Sequence, residues 1–170
     1  MKDKTVGALF RNTSLITRFT FVLLIGLTTF FAVANDGESA SNEDDADSRT
    51  DLVQLSINDT TINVEYADEA HERQLGLMHR REMCANCGML FKFDTIRYAS
   101  MWMKNTYIPL DVAYINVFGK IIDIKAMEPE DLTSIKSSMP ILYALEMNQG
   151  WFANKGIKVG DMVTLPLSVK

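Results

Sequence analysis

From Leu52 onward the chain repeats one pattern: short runs in which apolar and polar side chains alternate, each closed by turn-forming residues. Successive side chains of a strand point to opposite faces, so alternation marks a strand with one buried face. Leu52-Val-Gln-Leu-Ser-Ile57 and Thr61-Ile-Asn-Val-Glu-Tyr66 alternate on either side of the turn pair Asn58-Asp59, which predicts an opening hairpin. Gly88–Phe93, Tyr98–Met103, Ile141–Met147 and Met162–Leu167 read as further strands, with Pro166 ending the last or placing it at an edge. Leu110–Val117 and Lys120–Lys125 flank a turn at Phe118-Gly119. Two short helices are expected. One is capped by Asp68, with Leu75, Leu77 and Met78 as its apolar patch; the other, Trp151–Lys155, is stopped by Gly156. Residues 126–140 read as a polar loop holding Pro129 and Pro140, a length that is often functional. These elements predict a mainly β (α+β) domain, a small antiparallel β-barrel or sandwich of about seven strands with two short helices.

The domain is expected over residues 52–170, and the chain before it reads differently. Lys2, Lys4, Arg11 and Arg18 make a basic leader, Phe19–Ala32 an apolar run, and Ala32-Val33-Ala34 a small-x-small cleavage site. That is the pattern of a signal peptide over residues 1–34. The run is short of the roughly 20 residues a spanning helix needs, so cleavage is preferred over an uncleaved inner-membrane anchor. Residues 35–51 hold seven carboxylates against Arg49 alone and show no apolar periodicity, as in a solvated, disordered acidic linker. The expected location is periplasmic or otherwise extracytoplasmic, without stable membrane insertion after cleavage.

The whole chain carries a formal charge of −5, and the linker alone carries −6. That argues against a nucleic-acid partner bound by phosphate neutralisation and leaves a small molecule or an envelope protein as the expected partner. No nucleophile elbow, phosphate loop, dinucleotide fingerprint or zinc helix occurs in the sequence, and no cofactor is expected.

Polarity changes abruptly after Trp102-Met103, where Lys104, Asn105 and Thr106 precede Pro109 and Asp111. Read as a ligand site, Trp102 offers an aromatic wall, Lys104 a cation for a carboxylate or phosphate, and Asn105 an orienting amide. Read as structure, Asn105 and Asp111 organise a turn and Lys104 pairs with Asp111. Glu146 stands in an otherwise apolar strand and needs a cation, for which Lys104 is the obvious candidate. A small hydrolase or transferase using Lys104, Asp111 and Glu146 is a weaker alternative, and whether the protein is an enzyme stays open.

Cys84 and Cys87 admit three readings. In an exported chain the simplest is a structural disulfide closing a small loop. Redox catalysis is a second, although the pair precedes a strand rather than opening a helix as catalytic pairs do. A metal is the third, with His79, Cys84 and Cys87 as ligands, or with methionine sulfur from Met78, Met83, Met89, Met101 and Met103 holding copper(I). The methionines are more simply core filler, and His71 and His79 solvated surface residues.

Trp102-Met-Lys-Asn-Thr-Tyr-Ile-Pro-Leu-Asp111 resembles the most recognisable segment of an uncharacterised bacterial and archaeal family known as domain of unknown function 192. Gly76-Leu-Met78, Gly88-Met-Leu-Phe91, Tyr143 with Leu145-Glu146, and Gly156–Asp161 match in the same order. The resemblance implies a compact β-rich fold and, often, export; it implies no activity. This chain departs from the pattern at Asn116–Gly119, where an acidic turn is usual, and at Met101, where an aromatic is common. The Cys84/Cys87 pair is a third departure. The reading that results is an exported binding or accessory domain with its ligand site at the Trp102–Asp111 end. A thiol- or metal-linked role of Cys84 and Cys87 is the alternative.

Overall fold

The computed structural model describes residues 51–169; the expected signal peptide and nearly all of the acidic segment lie outside the described residues. The opening hairpin joins β1 (Leu52–Ile57) to β2 (Thr60–Ala67) through the turn at Asn58, whose φ is +52°. Asn tolerates that left-handed conformation better than most residues, which is why the turn falls there.

The chain then passes through α1 (Ala70–Leu75) and returns as β3 (Gly88–Arg97), parallel to β2 with Ala67 across from Phe91. Glu69, not Asp68, is the N-cap of α1. The Glu72 carboxylate reaches back to accept from the backbone N–H groups of Asp68 and Glu69, at 3.2 and 3.1 Å. Glu69 and Glu72 form a reciprocal capping box, the Glu69 side chain accepting from the Glu72 N–H, so the cap falls one residue later than Asp68.

The remaining long strands are β5 (Leu110–Ile115), β6 (Ile121–Met127) and β8 (Ile141–Asn148). Together with the short β9 (Val163–Thr164) they give a seven-stranded sheet in the order β6-β5-β8-β3-β2-β1-β9, antiparallel except at β2/β3. The sheet curls until its ends touch. Val163 N–H donates to the Gly119 carbonyl at 2.7 Å, and Lys120 and Met162 form a bridge. At Gly119 φ is +85° and a Cβ would fall 2.5 Å from the Val163 carbonyl oxygen, so the closure requires glycine. Asn116 holds the same turn, its Oδ1 accepting from the N–H groups of Phe118 and Lys120.

The middle of the sheet is buried on both faces. Leu90, Ala113, Leu145 and Met147 point into the curled interior with Leu55, Ile57, Val64 and Phe152. Met89, Phe91, Val112, Tyr114 and Ala144 point the other way, into a second core completed by Leu77 and Met103. Full burial of side chains of this size contributes roughly 1.5–3 kcal/mol each. Every residue of β5 is therefore buried, including Asp111.

The second core is roofed by residues 126–140 and by the Tyr98–Met103 segment, of which only Ser100–Met101 is a strand. The two-residue strands β4 (Ser100–Met101) and β7 (Ile135–Lys136) pair with each other. Met103 N–H donates to the Asp131 carbonyl, Glu130 N–H to the Thr106 carbonyl, and the Tyr114 hydroxyl to the Ile135 carbonyl. Residues 126–140 are thus not a structureless connection: they begin as the end of β6 and continue as a laced cover. A four-residue helix, α2 (Trp151–Asn154), follows β8 and buries Trp151 and Phe152 against the interior core. No helix among the described residues is long and apolar enough to cross a membrane.

Candidate functional site

Strand register decides which polar residues meet. In β8, Glu146 lies across from Val112 on one side and Met89 on the other, and both neighbours belong to the second core. Cross-strand partners share a face, so the Glu146 side chain enters that apolar layer. It is only 4% exposed and makes no hydrogen bond or ion pair with any described residue. Burial pushes its carboxyl up to about 8, so at neutral pH it is mostly protonated.

The space beside Glu146 is a cavity of about 130 Å³. Its walls are Phe91 and Phe93 from β3, Met101 and Trp102 from the β4 end, and Thr106; residues 73–78, the end of α1 and the turn after it, close one side. Each piece has a local cause. Gly76, with φ at +51°, turns the chain off α1 where a Cβ would lie 3.4 Å from the Phe91 ring. Asn105, with φ at +53°, accepts from His79 N–H at 2.7 Å and so ties that turn to the Trp102 segment. Arg73 also borders the cavity, but its guanidinium is engaged. It forks onto the Asp94 carboxylate at 3.0 Å twice and donates to the carbonyls of Lys92 and Asp68.

The Trp102–Asp111 segment does not act as one cluster. Trp102 and Thr106 reach the cavity. Lys104 is exposed; its ammonium lies 5.4 Å from the centroid of the Trp102 ring and pairs with neither Glu146 nor Asp111. Asn105 is exposed and serves the turn through its backbone. Thr106 is buried, and its hydroxyl donates to the Lys104 carbonyl at 3.2 Å. Asp111 lies across from Met147, on the opposite face of the sheet from Glu146, where it accepts from Gly150 N–H at 2.7 Å. Burial raises its carboxyl and that hydrogen bond opposes the rise. Lys104, Asp111 and Glu146, the trio of the hydrolase or transferase alternative, therefore share no cavity.

The sequence singled out Glu146 by its polarity. It carried no signal for Phe91, Phe93 and the Arg73–Met78 turn as walls, since the phenylalanines reach the site through the long-range β3/β8 pairing and the turn through its packing on Phe91.

Cys84 and Cys87 are joined in a disulfide just before β3. The loop is held from both sides: Asn148 Nδ2 donates to the Cys84 carbonyl at 2.8 Å, and Trp151 Nε1 to Asn86 Oδ1 at 3.1 Å. Beside it Arg80 and Glu65 make a forked ion pair with both contacts at 2.6 Å. His79 stands edge-on to Tyr107, ring centroids 6.5 Å apart. Among the described residues, no group of three or more His, Cys, Asp or Glu side chains converges on one point. Binding a metal through His79, Cys84 and Cys87 would first require reducing the bond.

A larger hollow, about 460 Å³, lies where the sheet closes, between Val117–Gly119, Tyr143 and residues 162–165. No charged side chain lines it.

The fold is similar to that of known proteins. The chain belongs to the family described as uncharacterised ACR, domain of unknown function 192, which matches residues 53–165. It is similar to the crystal structure of a protein from Sinorhizobium meliloti 1021 described as a candidate transcription regulator. The identity is 35% and the TM-score 0.65, over 68% of this chain and 95% of that one. It is also similar to a protein of unknown function from Novosphingobium aromaticivorans DSM 12444, at 33% identity and a TM-score of 0.64, over 66% of this chain and 84% of that one. None of the curated proteins compared matches it.

Proposed function

We propose that this chain is an exported small-molecule-binding domain whose ligand site is the cavity over Glu146, with Trp102 and Thr106 as ligand contacts. One observation carries the reading. Glu146 is a buried carboxyl with no described hydrogen-bond partner or cation, and it borders a cavity. The carboxyl has no partner among the described residues and opens onto the cavity, so a ligand seated there can supply one. The hollow combines aromatic and methionine walls with the polar side chains of Gln74, Ser100, Thr106 and Glu146, and a partly apolar hollow with a few convergent polar groups is the usual build of a small-molecule site.

Export to the periplasm is supported by the leader pattern of residues 1–34 and by the Cys84–Cys87 pair, since disulfides persist in oxidising compartments. Nucleic acid is not the proposed partner, because the folded domain has too little positive charge to displace counterions from phosphate.

Two experiments test the reading. Backbone-amide NMR during a screen of small fragments should show shifts at Trp102, Thr106 and Glu146; shifts confined to the Val117–Gly119 hollow would sink the site. The N-terminal sequence of protein recovered from the periplasm should begin at Asn35, and a chain that stays full-length in the membrane fraction would contradict cleavage.

A further inference from the structure

We infer that the cavity over Glu146 takes a small organic cation, an alkylammonium group seated between the Glu146 carboxylate and the aromatic rings; the inference rests on the binding-site reading above. The side chains select the charge. Glu146 is the one carboxylate on the wall, and the only cation there, Arg73, already satisfies Asp94 and two carbonyls. A carboxylate in so apolar a place is stabilised far more by an opposite charge than the same pair would be in water.

The neutral walls agree with that choice. Phe91, Phe93 and Trp102 line the cavity, and aromatic rings attract cations over their faces. Two of these rings already hold one of the protein's own cations nearby: Lys104 lies 5.4 Å from the Trp102 centroid, and Arg97 lies 5.9 Å from that of Phe93. The Thr106 hydroxyl spends its proton on the Lys104 carbonyl, so its oxygen is left to accept from an ammonium N–H. Met78 and Met101 complete a flexible, polarisable lining that adapts to an alkyl chain. An anion would meet the buried acid with no free cation inside the cavity. A neutral alcohol could bond to Glu146 but would gain nothing from the rings.

The groups that face Glu146 from the packed elements are Arg73 from α1 and Tyr114 from β5, and neither supplies a free positive charge. The Tyr114 hydroxyl donates to the Ile135 carbonyl, as Arg73 does to its own partners.

Three probes of nearly one shape separate the ligand's charge from the existence of the site: propylammonium, propanol and propionate, titrated against the full mature chain by side-chain ¹³C NMR at constant ionic strength and pH 9, where the Glu146 carboxyl is ionised and the amine still protonated. The expected result is saturable binding of propylammonium at Trp102, Thr106 and Glu146, about tenfold tighter than propanol, with propionate weakest. Glu146→Gln keeps the shape and should bring propylammonium and propanol within about twofold. Propanol or propionate binding there as tightly as propylammonium would overturn the cation inference and leave the cavity reading standing. No probe shifting those residues would overturn both. The folded state of Glu146→Gln is verified by its amide spectrum. Should it fail to fold, tetramethylammonium against neopentyl alcohol on the unaltered chain makes the same comparison, with equal affinity counting against the inference.

Discussion

Asp111 and Glu146 are the two buried acidic residues of the described chain, and they face opposite sides of one sheet. Asp111 lies across from Met147, whereas Val112 lies across from Glu146. The outward consequence is chemical. Asp111 is satisfied by the Gly150 N–H and belongs to the turn before α2, while Glu146 has no such donor and belongs to the cavity.

Glu146 makes stability depend on pH. Its carboxyl is raised from the ordinary 4.5 to about 8, so between those values the unfolded chain ionises this group and the folded chain does not. The folded state then binds more protons, and stability falls as pH rises by about 1.4 kcal/mol per unit across that window. Above pH 8 both states are ionised and the penalty levels off. Urea denaturation from pH 4 to 9 should show that slope in the natural chain and its loss in Glu146→Gln; parallel curves would remove Glu146 as the source.

Asp111→Ala should cost about 1–3 kcal/mol, because it strips the acceptor from a part-buried backbone N–H. Binding at the cavity should be unchanged, since the residue points away from it. Chemical denaturation beside an NMR titration reads both, and a variant of full stability with impaired binding would reverse the assignment.

Gly88 begins β3 where it crosses Met147. A Cβ there would lie 2.3 Å from the Glu146 carbonyl oxygen and 2.3 Å from Met147 Sδ. The sulfur can swing aside but the carbonyl is fixed in the sheet, so Gly88→Ala should destabilise by roughly 3 kcal/mol or more. A melting temperature within experimental error of the natural chain would show that the strands part more easily than their register implies.

Removing the disulfide should cost little. The closed loop is short, so Cys84→Ser with Cys87→Ser is expected to lose about 2 kcal/mol at most. The bonds from Asn148 and from Trp151 keep the loop in place. Thermal unfolding under oxidising and reducing conditions measures this, and global unfolding on reduction would make the bond essential rather than supporting.

The strands could be read from alternation wherever one face meets solvent, as in Leu52–Ile57 and Thr61–Tyr66. Alternation fades in Leu110–Ile115, all of it buried, because a second core covers the outer face. In the roof, β4 was legible within Tyr98–Met103 but its partner β7 was hidden, since each is two residues long and they find one another across a long stretch of chain. Glu146 stood out as a charge in an apolar run. Its lack of a partner did not, because Lys104 is near in the pattern of polarity and far in the fold: the strand register turns Glu146 inward, and the lysine stays outside on Trp102.

The most direct measurement is a pH titration of the Glu146 side-chain carboxyl carbon by ¹³C NMR, without and with propylammonium. The account predicts a midpoint near 8 in the free protein, displaced to lower pH by the amine, because a bound cation stabilises the carboxylate. A midpoint near the ordinary glutamate value, or one that the amine leaves unmoved, would contradict it.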